Sequence, residues 1–503
     1  MAMSPYRQLE TRFSKLGAVE EALAMLGWDS STMMPVGGAE ARAEQMSVLQ
    51  VVCHELVTDP ALGELIVAAE TDNALDSWQR ANLAEMRRRW LHETAVPADL
   101  VSRLSKASLD CEMIWREARP ANDFARVLPS LQTLLDLTRQ AGTARAEKLG
   151  VPLYDALLDA YEPGGSAVEI DRLFAELAGF LPDLVEAAIE RQASQPSPIA
   201  LEGPFPIAAQ QTLGIRLMET LGFDFAHGRL DVSAHPFSGG TPDDVRITTR
   251  YAEEDFTRAL MGVLHETGHA LYERGLPSRW RRQPVGYARG MSIHESQSLL
   301  IEMQACRSRE FMEYLAPLAA RTFAEYGVDT DGPGWTPENL WRLSTRVERS
   351  LIRVDADEAT YPAHVVLRYR LERALIEGRL DLVDLPGAWN EGMTNLLGVA
   401  PPDDRQGCLQ DIHWFGGSWG YFPTYTLGAM TAAQLFAAAN RADPTIRPGL
   451  AQGNFAPLLA WLRPNVHERA SSIMASTLVT EATGSPLDVG VFEHHLTTRY
   501  LES

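Results

Sequence analysis

Five consecutive residues carry the clearest chemistry in this chain: His265-Glu266-Thr267-Gly268-His269. On a helix, residues four apart share a face, so His265 and His269 would offer two imidazoles to one ion. Glu266 sits one residue along, beside the open coordination position. There it can take a proton from a water held at that position and deliver it to a departing amine. Zinc suits such a site, because it accepts imidazole and carboxylate in a tetrahedral set and does no redox chemistry. Three fixed residues in five also arise by chance in a long chain. The setting argues for a metal site: the run from Asp255 to Arg274, DFTRALMGVLHETGHALYER, reads as a helix with Asp255 as its cap and Gly275 as its stop.

A catalytic zinc needs a third protein ligand. An extended H-E-x-x-H-x-x-G-x-x-H pattern is absent, since Tyr272 and Gly275 stand where its glycine and third histidine would be. The other common choice is a Glu from a following helix. Glu295, within Ser292-Ile293-His294-Glu295-Ser296-Gln297-Ser298, is the best placed, at the start of a long helix expected over Ile293–Tyr314. The same spacing, Ser292-x-x-Glu295, is also a capping box, which would give that carboxylate a purely local partner. Glu302 is a rival ligand about two turns further on. His294 would point about 100° away from Glu295.

The elements that must carry these residues read as mainly α. Leu173–Gln192 and Val365–Gly378 place apolar residues three and four apart. A Pro-rich stretch, Gln195–Gln210, reads as a long loop or lobe boundary. His227–Tyr251 alternates apolar and polar residues around Gly and Pro and predicts one or two short strands just before the metal helix. Asn395–Thr426 is dense in Gly, Pro, Trp and Tyr and reads as irregular. No βα alternation, repeat or low-complexity tract is present, which disfavours a doubly wound sheet.

The chain has 503 residues, 45% of them hydrophobic, enough for a large core. Its formal net charge is −22, a field that repels phosphate backbones and excludes nucleic acid as an expected partner. The four cysteines, Cys53, Cys111, Cys306 and Cys408, have neither zinc nor disulfide spacing and read as core residues of a reduced compartment. No signal-peptide stretch and no run of membrane-spanning length is seen, so a soluble cytoplasmic protein is expected.

Taken together, the motifs resemble the carboxypeptidase Taq family of metallopeptidases. HETGH is followed by HESQS from His294 to Ser298. Asp244-Val245-Arg246-Ile247-Thr248 matches D-x-R-x-T, Ile352 to Asp357 matches [I/V]-R-x-x-A-D, and Gly407 to Trp414 matches G-x-x-Q-D-x-H-W. The resemblance covers essentially the whole chain, 1–503, as a single metallopeptidase domain. It implies a mainly helical fold of two lobes around a deep active-site groove, similar to neurolysin-like peptidases, with the small β element before the metal helix. It implies release of single amino acids from peptide C-termini with broad specificity, a homodimer, and zinc, for which cobalt can substitute. By motif, His265, His269 and Glu295 are the implied ligands and Glu266 the implied base.

A carboxypeptidase must also hold a free carboxylate, and a guanidinium fork does this best. Arg353 is the leading candidate and Arg246 the second. Each has an ordinary ion pair as its alternative, with Asp355, Asp357 or Glu358 for Arg353 and with Asp244 for Arg246. His235 and His413 are candidate donors to the substrate backbone or to the developing oxyanion, with Tyr421 and Tyr425 as phenolic alternatives. Packing with the neighbouring aromatics is the other reading of Tyr421, and a bond to a backbone carbonyl that of His413. Gln410, Asp411, Asp355 and Asp357 are candidates to accept from the zinc-bound imidazoles. His494-His495 reads as solvated surface. Two competing functions remain: a groove-type zinc oligoendopeptidase, and a helical binding protein without catalysis, against which the presence of Glu266 argues.

Overall fold

The computed structural model describes residues 3–234 and 236–502. Asp255 starts the metal helix as expected: its side chain accepts from the Thr257 amide at 2.8 Å, and α1 runs Phe256–Gly275. Gly275 is not the stop. It is the last helical residue, and a Cβ there would run into Arg463 and His467, so close packing accounts for the glycine.

The segment after α1 departs further from expectation. The next helix, α2, spans Gly290–Leu299 and begins behind Arg289, with Gly290 at φ 61°. Ser292 and Glu295 therefore lie inside the helix, and the capping-box reading of Glu295 fails. From Leu300 to Cys306 the backbone widens into a π-helical turn, then breaks before the helix Arg309–Glu325. Such widened turns often mark functional positions. The expected continuous helix Ile293–Tyr314 is thus two helices with an irregular join.

Three strands, not one or two, precede α1: β1 (Gly228–Val232), β2 (Ser238–Thr241) and β3 (Asp244–Thr249). β3 is central, parallel to β1 and antiparallel to β2. Val245 and Ile247 of β3 turn into a core with Met218, Phe223, Val263 and Ala270, two of which are on α1. The sheet is therefore the platform against which the metal helix is packed. β2, Ser-Gly-Gly-Thr, has no apolar alternation and shows itself only through its pairing.

By contacts the chain forms two compact units. The first gathers Met1–Trp90, Pro198–Ser344 and Thr431–Leu487 and contains the sheet, α1 and α2. The second gathers Leu91–Ser197, Thr345–Met430 and Asp488–Ser503. It contains helix α3 (Tyr361–Ile376) and helix α4 (Val489–Thr497). α3 is buried nearly all round, and its polar residues His364, Arg368 and Glu372 recur every fourth position, all at 0% exposure. The irregular stretch lies between the helices Leu385–Leu397 and Pro423–Ala442 and is tied down by this polar stripe. Glu372 accepts from Trp414 Nε1 at 2.7 Å and from the Gly420 amide at 2.8 Å. No described helix is long and apolar enough to cross a membrane.

Candidate active site

α1 and α2 approach so closely at Gly268 that a Cβ there would lie 2.6 Å from Gln297 O and Ser298 Cα. That approach puts Glu295 opposite the two imidazoles. Glu295 Oε1 is 4.0 Å from His265 Nε2, and Glu295 Oε2 is 3.7 Å from His269 Nε2. One donor atom from each of the three residues falls within 4.8 Å of the others. Four tetrahedral ligands on zinc are separated by about 3.3–3.4 Å, so a small contraction would close the set. Because backbone atoms block the space, Gly268→Ala is expected to cost about 2–3 kcal/mol of stability and to loosen the metal site. An unchanged melting temperature and metal affinity would refute this tight crossing.

Glu302, weighed as a rival ligand, has a different position. Its Oε2 lies 3.0 Å from His265 Nδ1, on the far side of the ring from Glu295, and its Oε1 accepts from Arg307 Nη2 at 2.7 Å. Arg307 in turn donates to Ser344 O at 3.0 Å. Glu302 thus fixes the tautomer that leaves His265 Nε2 as the ligand atom. His294 stacks on His269 at 4.4 Å and turns its Nε2 to Glu273 at 3.0 Å, outside the ligand cluster.

Charge supports a cation here. Glu266 feels the charges of Glu295 and Glu302, and Glu302 is paired with the Arg307 guanidinium. A dication beside these carboxylates would favour their ionised forms. Burial alone would lower the His265 pKa, but the Glu302 hydrogen bond and the charges of Glu295, Glu302 and Glu266 raise it to about 10. Without an ion, this imidazole takes the compensating charge. Burial lifts the Glu266 carboxyl to about 7, with Glu295 and Glu302 adding to the lift and His265 opposing it. Burial works to raise Glu302 as well, but Arg307 and His265 outweigh it and hold it below the usual carboxylate range. Burial, then the charges of His294 and His265, keep His269 far below its ordinary value and so neutral, as a ligand must be. The residues present fit a zinc-type ion.

In the second unit, Arg353 is buried at 6% exposure and its nearest acids in sequence are not its partners. Its Nε and Nη2 donate to Asp411 Oδ1 at 3.1 and 2.8 Å, and Nη1 donates to Tyr361 OH at 2.8 Å. Arg368, which sequence reading overlooked, donates from Nε to the other Asp411 oxygen at 2.6 Å. Gln410 fastens the pair: Oε1 accepts from the Arg353 amide at 2.9 Å and from Arg368 Nη2 at 2.7 Å. Gln410 and Asp411 therefore serve these arginines, while Glu302 is the partner of the His265 ring. Asp357 fastens its own loop, accepting from the amides of Glu348, Ala359 and Thr360. Asp355 is exposed.

Two buried guanidinium groups thus share one carboxylate. Burial alone would raise the Asp411 pKa, but Arg368 and Arg353 drive it far down, so it stays ionised, and one positive charge is left over. The spacing His364-x3-Arg368-x3-Glu372 in an apolar helix was the sequence signal for Arg368. Both ring nitrogens of His364 are buried, and burial, then Arg368 and Arg353, bring its pKa down to about 3 against a weak contact with the Ser350 backbone.

The remaining candidates fall as follows. Arg246 gives a bidentate pair to Asp244, at 2.9 and 2.6 Å, and stacks 4.6 Å over Trp28. His413 Nε2 meets Tyr425 OH at 3.2 Å, not a backbone carbonyl, and its Nδ1 is buried without a partner. Burial, then Arg353, lower its pKa to about 4. Tyr421 packs edge-on against Tyr161 at 5.0 Å and Tyr425 at 5.1 Å, and its ring is 5.7 Å from His413. The Tyr425 ring lies 4.9 Å from the Arg353 guanidinium. His235 lies outside the described residues. Cys111, Cys306 and Cys408 are buried and Cys53 half-buried, all as free thiols. His494 is exposed as expected, but His495 is half-buried and bonded to Glu358 at 2.9 Å.

The comparisons agree with these motifs. A family model described as carboxypeptidase Taq (M32) metallopeptidase matches residues 8–500. Thermostable carboxypeptidase 1 of Thermus thermophilus is 40% identical over 492 residues, covering 95% of this chain and 94% of that protein. Among solved structures, Trypanosoma cruzi metallocarboxypeptidase 1 superposes with a TM-score of 0.96 at 42% identity, covering 99% of both chains. The M32 carboxypeptidase from Deinococcus radiodurans R1 gives 0.93 at 37% identity, again covering 99% of both.

Proposed function

The chain belongs to the carboxypeptidase Taq (M32) family of metallopeptidases, and from that premise we propose that it is a zinc-dependent carboxypeptidase releasing single amino acids from peptide C-termini with broad specificity. The observation that carries the exopeptidase reading is the buried charge imbalance around Arg353. Two guanidinium groups with one carboxylate between them suit a second carboxylate, and every peptide with a free C-terminus brings one there, whatever its side chains.

His265, His269 and Glu295 would hold the ion, and Glu302 keeps His265 in register. When bound, zinc supplies a Lewis acid that polarises the scissile carbonyl and makes water a better nucleophile. Glu266 takes a proton as the water oxygen bonds to the carbonyl carbon. It then delivers a proton to the amine as the C–N bond breaks, leaving a shortened peptide and a free amino acid. Arg353 receives the terminal carboxylate. His413, neutral at pH 7, or a phenol of Tyr421 or Tyr425, donates to the oxyanion. Arg246, tied to Asp244, is the lesser candidate for substrate contact, and His235 a further one.

The reading treats the chain as one metallopeptidase domain, which the interleaving of both units from separated stretches supports. A homodimer, a cytoplasmic location and substitution of cobalt for zinc belong to the same proposal.

Amidating the C-terminus of a peptide substrate removes the charge assigned to Arg353. The expected result is a fall in kcat/KM of about 10- to 100-fold, with single amino acids as the products from the free peptide by mass spectrometry. Equal cleavage of both peptides, or internal fragments, would favour an endopeptidase.

A further inference from the structure

Arg353 sits on one turn of 3-10 helix, Arg353–Asp355, in a stretch with no other regular structure between Thr345 and Thr360. Such a stretch leans heavily on side-chain ties, among them Gln192 to both backbone groups of Val347 and Arg349 to Glu186, besides the packing of buried Val347. On one side, Gln410 grips it through the Arg353 amide and through Leu351 O, at 2.9 and 3.0 Å. On the other side the chain carries two adjacent carboxylates with different tasks. Asp357 closes the local turn. Glu358, at 4% exposure, leaves the loop for the last helical segment.

Glu358 meets three donors there. His495 Nε2 lies 2.9 Å from Oε1, Arg499 Nη1 donates to Oε2 at 2.7 Å, and Tyr500 OH donates to Oε2 at 3.0 Å. A buried carboxylate with three partners is stable in one place, and losing a partner is costly. The donors are themselves held. His495 is on α4, the next turn, Thr498–Glu502, is π-helical, and Arg191 of the helix Ala167–Ala193 donates to Leu501 O.

We propose that Glu358 is a positioning residue for substrate binding, through which His495, Arg499 and Tyr500 set the place of Arg353. The inference rests on Arg353 receiving the peptide carboxylate. A bidentate contact is sensitive to small displacements, so loosening Glu358 weakens binding while leaving the chemical groups of the first unit untouched.

The test compares Glu358→Gln, Tyr500→Phe and Arg353→Lys on a peptide and on its C-terminal amide, with melting temperature and metal content recorded. For Glu358→Gln the expected result is a rise in KM for the free peptide of about tenfold, with kcat within about twofold and the preference for the free peptide reduced to match. Tyr500→Phe, which removes one hydroxyl, is expected to give about a threefold rise. It decides the matter if Glu358→Gln does not fold. A merely structural role would lower the active fraction, and so the apparent kcat, with KM and preference unchanged. If that is seen while Arg353→Lys shifts both, the positioning role is overturned and the carboxylate reading stands. If Arg353→Lys also shifts neither, both are overturned.

Discussion

Replacing Glu266 by Gln is expected to lower kcat/KM by about 10³- to 10⁴-fold while leaving metal content and melting temperature unchanged. Gln keeps the shape of the side chain and loses its affinity for a proton, so the change isolates the acid–base step. Glu266 is not one of the three residues whose donor atoms converge, which is why the ion should stay. The pH profile gives a second signature. The base works ionised, so activity climbs as pH rises through its titration and levels off above it. In the metal-free protein burial puts that carboxyl at about 7. A bound dication favours the ionised form, so the limb in the loaded enzyme should fall below 7 and be absent in the variant. Full hydrolysis by a metal-loaded Glu266→Gln variant would remove Glu266 from the role of base.

Glu295→Ala tests the other half of the site. A zinc site of four ligands binds with about 10–16 kcal/mol, so one ligand carries about 3–4 kcal/mol, or about 10²- to 10³-fold in affinity. The variant is expected to lose its ion on dialysis against a chelator that the parent withstands, and activity with it. The apo forms should differ far less than the loaded ones, because Glu295 does not cap α2, although its charge acts on His265. A variant that retains its metal would exclude Glu295 as a ligand. One that instead loses stability without its metal would revive the local role that the sequence allowed.

What could be read without coordinates was whatever depends on neighbours in sequence. The H-E-x-x-H helix, its Asp255 cap and the irregular stretches around Gln195 and Gly407 follow from periodicity, cap chemistry and Pro/Gly content. The errors share a cause. Ser292-x-x-Glu295 looked like a helix start because the true start, behind Arg289, is set by Gly290 and by packing on α1. Gly275 looked like a stop because glycine commonly ends helices, whereas here Arg463 and His467 claim its space. Arg353 has Asp355 two residues away and pairs with Asp411, 58 residues on. Glu302 passed for a ligand because sequence spacing does not distinguish the two nitrogens of His265. His495 was assigned to solvent because nothing local reveals Glu358.

The interleaving of the two units bears on how the chain comes off the ribosome. Neither unit is a contiguous stretch. The first awaits Thr431–Leu487 and the second Asp488–Ser503, so neither unit is complete until late, although the stretch from Tyr6 to Met86 gathers a core cluster of its own. Once made, the metal helix and the Arg353 stretch wait for the segments that complete their units. Glu358 gains its three partners only when the last helix emerges. Peptide-cutting capacity would then arrive late and all at once, so that a chain halted early has little power to cleave its neighbours.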